Sequence, residues 1–212
     1  MSNFENLLTR LIQNPRFFLT FLVGSLLCFV PIVHFFAFGY IYRMTKILRV
    51  NGTLELPEWE EPSRLFIDGI RLTIVLLVYG FLPITLGLII IKLLIPDLAY
   101  TSVNIFLGFW KIAVLSLLCS AFYRYQRNHN FYELLNFTLI FRMAVAFFKS
   151  NFLALVLCYG LAFLLSPLYG FSIFSVLLVA LMQSTYYFYG LDIKGGRTVC
   201  LLYTSPSPRD RI

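Results

Sequence analysis

Lys111 lies near the middle of an apolar run from Val103 to Tyr123. A lone charge at that depth of a bilayer costs about 2.5 to 3.5 kcal/mol on insertion scales. It would be retained if it faced a cavity or paired with a carboxylate. No Asp or Glu lies in another apolar run to partner it, and a lysine nearer the end of its helix can instead run its stem to the interface. Both readings stay open. The second cluster is "LPEWEE", Leu56 to Glu61, where Glu58, Glu60 and Glu61 surround Trp59. It reads either as a solvated connector anchored by Trp59 at the headgroups or as a docking surface for a soluble partner.

The remaining inventory of reactive groups is thin. His34 lies in an apolar run and His129 in a polar loop, with no HExxH spacing between them. Cys28, Cys119, Cys158 and Cys200 form no CxxC pair and read as packing residues. No phosphate-cradling glycine motif occurs, and "GLDIKGGRT" lacks the strand and helix context of one. Catalysis needs converging titratable groups, so no catalytic, metal or cofactor site is expected and the chain reads as a non-enzyme.

The elements that must position these residues are those of a membrane protein. Of the 212 residues, 59% are hydrophobic and 13% charged, where soluble domains carry about 25% charged residues. The net charge of +7 does not imply nucleic acid, because the basic residues stand at the ends of apolar runs. There they act as topology signals and contacts for anionic lipid headgroups.

An apolar helix of about 20 residues crosses a bilayer. Spans are expected over 17–42, 70–95, 103–123, 152–167 and 171–189, about five in an all-α polytopic fold. The first is interrupted by Pro31 and is either one kinked crossing or a re-entrant hairpin. It is too long for a secretory signal and lacks a cleavage site, so it reads as retained. Residues 2–14 form an amphipathic pattern expected to lie in the interface. "LLNFTLIFRMAVAFFKSN", broken by Arg142 and Lys149, reads as a second interfacial helix. Asn51-Gly52 is a turn signal that ends the helix running past Arg49. A faint repeat relates "RLTIVLLVYGFL" to "KSNFLALVLCYGLAFL". Residues 200–212 continue no pattern and read as a non-native tail.

Basic residues collect in cytoplasmic loops. Arg43, Lys46, Arg49, Arg64, Arg71, Arg124, Arg127, Arg142 and Lys149 fall in or beside the two long loops, about 43–69 and 124–150. Those loops and the C-terminus are therefore expected in the cytoplasm of a multi-pass cell-membrane protein. The asparagine-linked glycosylation sequons at Asn51 and Asn136 would then go unused.

Three motifs together resemble a known family. "PIVHFFAFGYIYRMTKILR" (Pro31 to Arg49), which contains Gly39 and Tyr40, precedes "LPEW" (Leu56 to Trp59) and "LFIDGIR" (Leu65 to Arg71). Over most of Phe17 to Tyr189 the chain is similar to the prokaryotic membrane proteins grouped as domain of unknown function 4013. The resemblance implies a helical membrane fold and brings no assigned substrate, cofactor or catalytic residue. Gly39, Tyr40, Glu58, Trp59 and Lys111 are the candidate functional residues. The expected role is a scaffold, membrane-organising or accessory component that contacts lipid and a membrane-protein partner or a second copy. The alternative is a small transporter or channel subunit.

Overall fold

The computed structural model describes residues 9, 12–94 and 100–194. Most of the amphipathic segment expected at 2–14, and all of the tail expected at 200–212, lie outside the described residues. Every described element is helical: α1 (Pro15–Leu27), α2 (His34–Asn51), α3 (Pro62–Leu76), α4 (Leu82–Leu94), α5 (Tyr100–Asn128), α6 (Phe137–Leu164) and α7 (Tyr169–Lys194). A π-helical turn, Leu77–Phe81, joins α3 to α4, and a 3₁₀ turn, Phe131–Leu135, precedes α6.

The first apolar run divides at Pro31. Asn14 caps α1 by accepting from the Arg16 amide at 3.0 Å, with Pro15 in the first turn. After Cys28 the chain leaves the helix, and Ile32 takes a left-handed φ of 74°. The chain resumes as α2, which carries the largely apolar residues 34–42 and the stretch 43–51 with Arg43, Lys46 and Arg49 in one continuous helix. The break at Pro31 is therefore complete, not a bend within one rod. Gly52 closes α2 with a φ of 68°, its amide bonded to Leu48 O at 2.9 Å, as the Asn51-Gly52 pair implies.

Pro83 has a gentler effect on the long α3–α4 rod. A proline ring collides with the carbonyl four residues earlier, here Tyr79, and the widened turn at Leu77–Phe81 makes room for it. Trp110 on α5 donates its indole N–H to Pro83 O at 3.0 Å.

The segment expected as an interfacial helix and the short span after it form one helix, α6, with a joint at Asn151 (φ −125°, ψ 24°). The joint is satisfied by side chains. Asn151 Nδ2 donates to Phe147 O at 3.4 Å, and Gln183 Nε2 on α7 donates to Asn151 Oδ1 at 3.3 Å. The two Tyr-Gly pairs of the faint repeat sit in different surroundings. Tyr79 is 2% exposed in the core, whereas a Cβ at Gly160 would meet no atom within 4 Å.

Four stretches are long and apolar enough to cross a membrane: Pro62–Leu93, Phe106–Asn128, Phe137–Leu164 and Tyr169–Asp192. Large apolar side chains such as Phe18, Leu19, Phe81, Leu153, Leu157 and Phe163 stand exposed on the outside of the bundle. An apolar exterior of that extent fits hydrocarbon better than water.

At the centre lies α2, with Ala37, Tyr40, Ile41, Tyr42, Met44, Thr45 and Leu48 all buried. Its closest neighbour is α3. An added Cβ on Gly39 would fall 1.9 Å from Leu65 O, and one on Gly69 would fall 1.8 Å from Phe35 O. The two helices thus cross backbone on backbone, each presenting a glycine to a carbonyl of the other, the kind of small-residue approach by which helices associate in lipid.

Candidate functional site

The charged end of α2 and the chain that follows it form the one region where several candidate residues meet. Trp59 packs against the bundle. Its ring stacks on Tyr40 with centroids 4.3 Å apart and planes 17° from parallel, and Tyr40 is 1% exposed. The irregular 52–61 segment is therefore pinned to the bundle by an aromatic pair that encloses one partner in the core.

Charge ties down the rest of the segment. Arg43 on α2 donates to Glu60 O at 2.9 Å and lies 3.6 Å from Glu61 Oε2 and 3.8 Å from Asp68 Oδ2. Arg71 pairs with the other Asp68 oxygen at 3.0 Å, and Arg64 pairs with Glu61 at 3.1 Å. Asp68 is thereby held between two guanidinium groups on adjacent helices. Burial makes such a shared carboxylate count for more than an exposed pair, and the Asp68 side chain is only 17% exposed.

On the other side of α2, Gln126 of α5 donates to Tyr42 O at 3.0 Å and to Thr45 Oγ1 at 2.9 Å. Both Gln126 and Thr45 are fully buried, so the pair fixes the register of α5 on α2. Arg124 and Glu133 form a close ion pair that holds the 129–136 connection against α5. Asp192 on α7 accepts from Tyr123 Oη at 2.6 Å and pairs with Arg127 at 3.2 Å. The three helix ends are thus laced by polar contacts.

Beside this lattice opens a cleft of about 630 Å³, lined by Arg43, Lys46, Glu58, Glu60, Glu61 and Arg64 among others. Glu58 and Glu60 are exposed there. The cleft mixes both signs of charge, an arrangement suited to a polar partner surface. Among the described residues, no three metal-ligating side chains converge.

His129 ends α5 with a left-handed φ of 51°, and its Nδ1 lies 3.3 Å from Tyr42 Oη. Partial burial, then the positive charge of Lys46, Arg49 and Arg71, push its pKa below the ordinary histidine value, with Asp68 opposing. The neutral ring shares this hydrogen bond with the Tyr42 hydroxyl. Because the fold binds this proton more weakly than the unfolded chain, the contribution is present above about pH 6.5 and is lost as pH falls through the folded value. Melting temperature should therefore drop between pH 7 and pH 5 by more in the wild type than in His129→Gln. Equal pH slopes in the two proteins would remove His129 from this role.

Lys111 lies elsewhere. It is exposed on the outer side of α5 and lines neither the charged cleft nor an apolar groove of about 400 Å³ between α4, α5 and α6. Gly39 belongs to the helix crossing beneath the Trp59–Tyr40 stack. Sequence reasoning passed over Asp68, Gln126 and Thr45. Asp68 in "LFIDGIR", a carboxylate at the head of an apolar run with Arg71 three residues on, carried a visible signal. Gln126 and Thr45 did not, since either residue is ordinary near a helix end.

A family model described as "Protein of unknown function (DUF4013)" matches residues 22–182. The chain belongs to the DUF4013 family. The match takes in α2, the 52–61 segment, α3 and α5, so both the Gly39–Gly69 crossing and the charged cleft fall within the family region. No curated protein and no solved structure matches the chain at a significant level.

Proposed function

We propose that this DUF4013 protein is a non-catalytic, multi-pass cell-membrane protein that serves as a scaffold or accessory component. Its 52–61 ledge and its C-terminal end face the cytoplasm, and the ledge docks a partner with a basic surface. The observation that carries this reading is the pinning of the ledge: the Trp59–Tyr40 stack and the Arg43 contacts to Glu60 O and Glu61 hold Glu58 and Glu60 at a set spacing. A surface already ordered loses less conformational freedom on binding than a loose connector does. The asymmetry of basic residues supports the orientation. The transporter alternative draws on Lys111 and on the proline-broken runs; the exposed position of Lys111 outside the charged cleft and the apolar groove weighs against the first of these grounds.

The test uses the full chain in its native membrane. Cysteines introduced at Glu55 and Asn128, both exposed, should react with an impermeant maleimide in inside-out vesicles and not in intact cells. Glu58→Gln with Glu60→Gln should release a copurifying partner at low salt without changing the melting temperature. Labelling from outside intact cells overturns the orientation. Loss of a transport phenotype in Lys111→Met, with folded yield unchanged, replaces the scaffold reading by the transport one.

A further inference from the structure

The apolar groove between α4, α5 and α6 is lined by Pro83, Trp110, Ala113, Leu117, Phe141 and Phe148 among others, with Lys149 at its rim. Its volume, about 400 Å³, lies in the range of small-molecule sites, about 300 to 1,000 Å³. A second cleft, which shares Leu117 and Phe141 with it, is bordered by Arg142. Arg142, Val145 and Lys149 recur at helical spacing on one side of α6. Both cations are exposed, and neither forms an ion pair among the described residues.

An apolar slot alone selects nothing in a bilayer, because lipid tails are as apolar as the side chains that line it. What distinguishes this one is a lining drawn from α5 and α6, with Pro83 of α4 beside them, and the two unpaired cations on the same side. Ser116 adds rigidity by donating to Ala144 O at 2.7 Å, which ties α5 to α6 at the floor of the groove. The occupant must then be long and apolar at one end and anionic at the other. A second copy docked by two-fold symmetry would set Arg142 and Lys149 near their own equivalents, which like-charge repulsion disfavours.

We propose that this groove is a binding site for one anionic phospholipid, its acyl chain along Trp110, Ala113 and Phe148 and its phosphate against Arg142 and Lys149. The proposal rests on the membrane reading and deepens it by giving one lipid a fixed place on the chain. Basic residues at a membrane surface attract anionic headgroups at about 1 kcal/mol each, about fivefold in affinity.

The experiment reconstitutes the full chain in nanodiscs of phosphatidylglycerol and phosphatidylcholine. Retained phospholipid is then counted by native mass spectrometry after transfer to detergent. The wild type should retain one phosphatidylglycerol in preference to phosphatidylcholine. Arg142→Gln and Lys149→Gln should each lower that preference by about fivefold. Ala113→Phe, which fills the groove from an exposed position, should abolish retention of either lipid at an unchanged melting temperature. Arg64→Gln, at the distant charged cleft, should change nothing, and excess inorganic phosphate should not displace the lipid. Retention undiminished in Lys149→Gln and Arg142→Gln, or in Ala113→Phe, overturns the site, as does an equal loss in Arg64→Gln. A chain that fails to enter nanodiscs at all refutes the membrane reading itself, a result distinct from failure of the lipid site.

Discussion

Gly39→Ala and Gly69→Ala should each cost the fold about 3 kcal/mol or more, the upper end of what overpacking does to a core. The reason is the identity of the atoms in the way. At both positions the new methyl would meet a backbone carbonyl, Leu65 O or Phe35 O, at under 2 Å, so no rotamer change relieves the clash and α2 must move off α3. Since α2 also carries the Tyr42 and Thr45 contacts to Gln126 and the Arg43 contacts to the ledge, separation of the two helices propagates to the whole charged end. Size-exclusion yield in detergent and thermal melting read the effect. The two sites report on one interface, so the double variant should lose much less than the sum of the single losses. Gly160→Ala, with no atom within 4 Å of the added carbon, should be neutral or slightly stabilising, as alanine is the better helix former. A Gly39→Ala protein that melts with Gly160→Ala would refute the backbone contact.

Trp59→Ala should destabilise the protein by about 2 kcal/mol, less than full loss of a core tryptophan because Trp59 is only partly buried. Its expected mark is coupling to Tyr40. In a double-mutant cycle with Tyr40→Leu, the stacked pair should show an interaction of about 1 kcal/mol. Trp59→Phe should recover most of the loss. Trp59→Ala should also speed proteolysis between Val50 and Ser63 in inside-out vesicles, since the aromatic stack and the Arg43 contacts are what hold that segment. An anchor in the headgroups would behave differently: Trp59→Ala would then cost the same whatever stands at residue 40. A coupling energy near zero decides for that anchor and against the stack.

Much of the architecture was legible in the residues themselves. Low charge and long apolar runs identified a helical chain able to cross a membrane, because hydropathy is a property summed along a segment and needs no partner. Asn51-Gly52 marked a helix boundary and Pro31 an interruption for equally local reasons, a left-handed residue in one case and a missing donor in the other. The motifs "LPEW" and "LFIDGIR" identified the family. Tertiary structure decided which way side chains face. An α-helix in a soluble protein announces its inner side by a polar outer one, but α4 and the apolar stretches of α5, α6 and α7 carry few charges, so inside and outside read nearly alike. Lys111 on α5 could face a cavity or run its stem to the interface, and it stands exposed outside the charged cleft and the apolar groove. Trp59 could point to headgroups or to the core, and it stacks on Tyr40 nineteen positions earlier. The pairing of Gly39 with Leu65, and of Gly69 with Phe35, depends on two helices finding one crossing point, a long-range fact that neither helix carries in its own pattern.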